Sequence, residues 1–116
     1  MIHELYRIEH RDEQNGMWTV KINDKLVLEY LTDKRLLNMP MPYDPIFKKD
    51  NKVWKTGVES ADLLLHWFTK KDMKEMCDRG FIIVNIFTDE VIKQEFQTLF
   101  NNKRRLTEVD VTKMFI

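Results

Sequence analysis

The chain is poor in several residue types, and each shortage excludes something. Its 116 residues hold one cysteine, three glycines and three prolines. A lone thiol, Cys77, excludes an intramolecular disulfide and any zinc site built from several cysteines. It fits a reducing compartment. The glycines at 16, 57 and 80 are too far apart for a phosphate loop, and no G-x-S-x-G nucleophile elbow occurs. The histidines, His3, His10 and His66, have no i, i+4 pair and no H-E-x-x-H, so no metal site is expected. Charge of one sign is also missing: 19 basic residues face 19 acidic ones. A general nucleic-acid binder carries a basic excess, so nucleic acid is not the expected partner. No apolar run approaches the ~18 residues of a membrane helix, and Met1 to Arg7 carries no signal-type apolar segment. The expectation is a cytoplasmic protein without a membrane anchor.

What is present points to one folded domain over residues 1–116. Hydrophobic residues make up 43% and aromatics 11%, too many for a disordered chain. ELYRIEH, Glu4 to His10, reads as a strand with Tyr6, Ile8 and His10 on one face and Leu5, Arg7 and Glu9 on the other. Asn15-Gly16 is a turn signal, and Trp18, Val20 and Ile22 alternate after it, which predicts a hairpin with the first strand. Leu26, Leu28 and Tyr30 continue the alternation across an Asn23-Asp24-Lys25 turn, although Leu26, Val27, Tyr30 and Leu31 also fit a helical face. The strand reading is preferred. All three prolines fall in MPMPYDP, Met39 to Pro45, an extended loop.

The second half is clearer. Ser60 is placed to cap a helix over Ala61 to Phe68, with Asp62 in its first turn. Thr69 caps a second helix with Met73, Met76 and Cys77 as its apolar stripe, and Gly80 closes it. FIIVNIF, Phe81 to Phe87, predicts a central strand buried on both faces. Short strands follow at Val91-Ile92 and from Glu95 to Phe100. The sum is an α+β fold, a mostly antiparallel sheet with one helical hairpin packed on a face.

Three constellations carry possible chemistry. Arg7 on the first strand, with Glu95 and Gln97 on a late one, offers a forked donor and a carboxylate for a polar ligand. A surface ion pair is the plainer alternative. The Met39, Met41 and Tyr43 side chains of the proline loop, with Trp54, form a candidate partner-binding surface, since methionine adapts to varied partners. Lysines from Lys48 to Lys55 interleave with Phe47 and Trp54, and Lys103, Arg104 and Arg105 match them. Aromatics among cations line single-stranded nucleic-acid grooves, but a solvated loop explains them equally. Cys77 lies near a helix C-terminus, where the dipole disfavours a thiolate, so it reads as filler.

LYRIEH (Leu5 to His10), GVESADLLLHWF (Gly57 to Phe68) and RGFIIV (Arg79 to Val84) together resemble small accessory proteins of tailed bacteriophages, over about two-thirds of the chain. The resemblance implies a non-enzymatic protein, made in the infected bacterium, that binds and modulates a host protein or defence component. The order Arg7, then Gly57 to Ser60 before a helix, then Glu95 is also similar to that of ADP-ribosyltransferases, although no Ser-Thr-Ser motif occurs. That analogy implies NAD as cofactor, Arg7 and Gln97 binding it, and Arg7 and Glu95 as the catalytic candidates.

Overall fold

The computed structural model describes residues 1–12, 14–16, 21–22, 25–26, 53–94 and 97–116. Its strands are β1 (His3–His10), β2 (Lys21–Ile22), β3 (Lys25–Leu26), β4 (Trp54–Gly57), β5 (Phe81–Thr88), β6 (Val91–Lys93), β7 (Thr98–Asn101) and β8 (Arg105–Asp110). Two helices, α1 (Ala61–Trp67) and α2 (Lys70–Asp78), lie between β4 and β5. One antiparallel sheet has the order β1-β5-β8 and a second the order β4-β7-β6, while β2 pairs with β3. This is the α+β, mostly antiparallel architecture that the residue patterns predict.

β5 is central because it is apolar on both faces. Phe81 and Ile83 join Ile8, Leu64, Trp67, Phe68, Met73 and Met76 in a core beneath the helices. Val84 and Ile86 turn the other way and pack with Leu5 of β1 and with Phe100 of the second sheet. The period-2 alternation of β1 therefore sends Ile8 to the helical side, and Leu5, Arg7 and Glu9 to the side of the second sheet.

Local chemistry fixes the helices. Ser60 Oγ accepts from the Leu63 N–H at 3.2 Å, and Thr69 Oγ1 from the Asp72 N–H at 3.1 Å. Gly80 follows the second helix at φ +97°, and a Cβ there would lie 3.2 Å from His10 Nε2. Gly57 serves closeness instead: a Cβ would meet Leu5 Cβ and the Tyr6 carbonyl at 3.2 Å. That approach lets Tyr6 and Val58 exchange backbone hydrogen bonds of 2.7 and 2.9 Å, joining the two sheets at one seam.

One pairing differs from expectation. Among the described residues β1 pairs with β5 and with Val58, not with Lys21–Ile22. Eight residues of β1 lie against eight of β5, two strands whose apolar side chains bury each other, while Trp18 and Val20 of the expected hairpin strand lie outside the described residues. The β2–β3 register, Lys21 opposite Leu26, agrees with the preferred hairpin reading of that stretch. Trp18, Val20, Leu28, Tyr30 and the MPMPYDP loop lie outside the described residues.

Ile83 is fully buried, whereas Met114 is 69% exposed. Ile83→Ala should lower unfolding free energy by about 2–5 kcal/mol, and Met114→Ala by under about 0.5 kcal/mol. Urea unfolding of the two variants checks the placement of the core; equal effects would refute it.

Candidate functional site

Arg7 and Glu9 share the inner face of β1, at 7% and 2% exposure. Ionised groups so deeply buried need partners, and both have them. Arg7 Nε donates to Glu9 Oε1 at 2.9 Å, Nη1 to the Thr56 carbonyl at 2.7 Å and Nη2 to the Gln14 carbonyl at 3.1 Å. Arg105, at the start of β8, grips the same carboxylate in a fork: Nη1 to Glu9 Oε2 at 2.9 Å and Nη2 to Oε1 at 3.0 Å. Its remaining N–H groups go to Glu108 and Asn102, and its guanidinium lies 5.5 Å from the Phe100 ring centroid. Burial works against the Arg105 cation, but the bonds to Glu9 and Glu108 outweigh it and raise its pKa. For Arg7 burial wins and the pKa is lowered.

Lys55 stands beside this cluster and donates to Asn15 Oδ1 at 3.0 Å. Burial first, then the positive charge of Arg7, brings its pKa down to about 8, with Glu9 opposing. Three cations thus surround the carboxylate of Glu9. That carboxylate already occupies the anion slot a ligand would otherwise take.

A cleft of about 50 Å³ opens beside Arg7 at the seam between β1 and β4. Its walls include Val58, Leu64, Trp67 and Phe68, and its polar lining includes Arg7 and Gln97. The structure therefore brings together Arg7 and Gln97, the two residues expected to hold a cofactor. Glu95 lies outside the described residues, as do Met39, Met41 and Tyr43. Trp54 is buried at 7% exposure, an anchor of the fold rather than a surface contact. The volume is far below the roughly 300–1,000 Å³ of cofactor and drug-sized sites.

Among the described cationic candidates, Lys55, Arg104 and Arg105 are engaged within the fold. Arg104 pairs with Asp89, and Arg105 with Glu9 and Glu108. No cluster of metal-ligating side chains occurs among the described residues, and no helix among them is long and apolar enough to cross a membrane. Cys77 packs against the helical core, and burial followed by Asp78 and Asp110 pushes its thiol up to about 11. A thiol of that pKa is a poor nucleophile.

The sequence reading missed Arg105 as the partner of Glu9, because 96 positions separate the two. The usable signal was Glu9 itself, a carboxylate on the inward face of an apolar strand, which demands a cation from somewhere. It missed Trp67 and Phe68 as cleft walls because a helical stripe looks the same whether it faces core or cleft.

The sequence model of the family described as Bacteriophage T4 Y00F protein matches residues 1–114. No curated protein and no solved structure matches the chain.

Glu9→Gln removes the charge that two buried arginines share, and should cost about 3–5 kcal/mol of stability. Combining it with Arg105→Met should cost clearly less than the sum of the single changes, because the two groups are coupled. Denaturant unfolding of the cycle decides; additive effects would contradict the geometry. Lys55 supplies a pH signature. Unfolded, it titrates near 10.5, so above pH 8 the unfolded state binds the extra proton and stability rises with pH. Cys77 opposes this only above its ordinary value of 9.0. Lys55→Met should therefore raise Tm at pH 7 and flatten the rise between pH 8 and 9. Tm measured against pH in both proteins tests it.

Proposed function

The chain belongs to the bacteriophage T4 Y00F protein family, and on that premise we propose that it is an accessory protein acting in the cytoplasm of the infected host, binding and modulating a host protein without chemistry of its own. The observation that carries this reading is the C-terminal segment. β8 is the edge of its sheet, and from Leu106 to Asp110 its side chains are exposed on both faces. Leu106, Val109, Met114 and Ile116 are 44–69% exposed. No described strand pairs with the far side of β8. An open edge with apolar side chains is what a partner strand or helix uses. Met39, Met41 and Tyr43 are the further contact candidates, on sequence grounds.

The enclosure of the polar network supports the same reading. Arg105 has five N–H groups, and all five bonds are made within the fold. Little of this charge is left for a substrate.

A second reading has one observation in its favour, the meeting of Arg7 and Gln97 at one cleft. It is a minimal nucleotide-binding or ADP-ribosyltransferase-like domain, with NAD held by Arg7 and Gln97, and with Arg7 and Glu95 as catalytic candidates. The small volume of the cleft weighs against it.

Affinity capture from a bacterial lysate, beside thermal shift with NAD, ADP-ribose and ATP, separates the two. The first reading expects one stoichiometric partner, lost in Leu106→Asp/Val109→Asp or in Met41→Asp, with Tm changed by only a few degrees. A nucleotide at a hundred times its dissociation constant would add about 2.7 kcal/mol, on the order of 10 °C in Tm. Such a shift, abolished by Gln97→Leu, would replace the first reading with the second.

A further inference from the structure

We infer that the cleft at the β1–β4 seam takes a carboxamide group, whose N–H donates to Gln97 Oε1 and whose oxygen accepts from Arg7. This inference does not depend on the partner-binding reading. Gln97 is 4% exposed, yet its Oε1 is the one buried side-chain polar atom without a hydrogen-bond partner among the described residues. Its orientation is held from the other side: Gln97 Nε2 donates to Gln94 Oε1 at 3.2 Å, and the backbone of the two residues is tied by the Gln94 N–H donating to the Gln97 backbone carbonyl at 2.9 Å. A buried acceptor so fixed calls for a donor from outside the fold.

Arg7 supplies the complementary half. Of its five N–H groups, three are bonded, one each from Nε, Nη1 and Nη2. One N–H on each Nη remains. Its charge is already met by Glu9, which it shares with Arg105. A carboxylate ligand would set oxygen against Gln97 Oε1, and a cation would face the guanidinium. A neutral group that both donates and accepts satisfies both sides.

Size and lining narrow the choice. About 50 Å³ holds a few waters or a small planar head group, not a nucleoside. Leu64, Trp67, Phe68 and Val58 offer apolar walls to the flat faces of such a group, where a water cluster would find few further partners. The carboxamide can come from a free small amide or from an Asn or Gln side chain of another protein. The recognition chemistry is the same.

The test is a titration followed by ¹⁵N–¹H correlation spectra of the intact chain, including the Trp67 indole and the Gln97 side-chain NH₂. The probes are propanamide, propanoate, nicotinamide and N-acetylglutamine N-methylamide. Propanamide should give saturable shifts at Gly57, Val58, Phe68 and Gln97, with a dissociation constant of about 1–50 mM. Propanoate at the same concentration should leave these signals in place. Nicotinamide tighter than propanamide points to a free amide ligand; the glutamine derivative tighter points to a protein side chain. Gln97→Met keeps the side-chain length and removes the acceptor, so it should weaken propanamide about tenfold or more with the folded spectrum retained. No saturable shift, equal binding of propanoate, or unchanged binding in Gln97→Met would each overturn the inference and leave water as the occupant.

Discussion

The carboxylate of Glu9 ties the fold together at a place where apolar packing cannot. It lies on β1, and the two arginines on it come from β1 itself and from β8 at the far edge of the same sheet. Through Arg7 the network reaches the backbone of β4 at Thr56 and of the segment after β1 at Gln14. Through Arg105 it reaches Asn102, in the 3₁₀ turn over Asn102–Arg104 between β7 and β8. One ionised group thus fixes five parts of the chain. A buried carboxylate with two cations is weak evidence for net stability, since an apolar replacement often does as well. Its effect here is geometric: directional bonds of 2.6–3.1 Å set how the two small sheets meet. The apolar contacts alone, Leu5, Val84, Ile86 and Phe100, would tolerate sliding.

That constraint explains why the cleft exists. Gly57 lets β4 approach β1 closely, and the Tyr6–Val58 bridge closes the seam on one side. Arg7 must reach Glu9, Thr56 and Gln14 at once, so its side chain is held in the second layer and does not fill the seam. Trp67 and Phe68 close α1 against the other face, and a gap remains between the two layers. A well-packed interior has few voids larger than a water. A gap lined by Arg7, whose guanidinium is incompletely used, and by Gln97, whose buried Oε1 has no partner, is therefore a feature of the fold's polar geometry.

Much of this was legible from the residues. The caps Ser60 and Thr69, the closing Gly80 and the apolar run from Phe81 are local signals, and local signals fixed both helices and the central strand. Tyr6 and Ile8 against Leu5, Arg7 and Glu9 gave the two faces of β1 correctly. The short β2–β3 pairing was legible from its turn, but the β1–β5 pairing was not, because it joins apolar strands more than 70 positions apart. The Arg7–Gln97 meeting was legible only as two polar residues on early and late strands. Arg105 was not, since nothing local marks which of Lys103, Arg104 and Arg105 turns inward. The 3₁₀ turn over Asn102–Arg104 makes that choice: Arg104 goes out to Asp89 and Arg105 goes in to Glu9.

The same division separates the two surfaces proposed to act, the cleft and the β8 edge. Inside, charge is matched to charge and only neutral hydrogen-bonding capacity is left over, at Arg7 and Gln97. Outside, β8 interleaves Leu106 and Val109 with Glu108 and Asp110, a strand whose charges discourage self-pairing while its apolar side chains stay open. A long edge strand without such charges would invite other copies of the chain. Alternation along β8 sets Leu106 on the face that carries Glu108 and Asp110, and Val109 on the opposite face with Thr107. On the proposed partner-binding reading, selectivity at this edge would come from the acidic pair and binding energy from Leu106 and Val109, so the two would be separable by mutation of different residues on one strand.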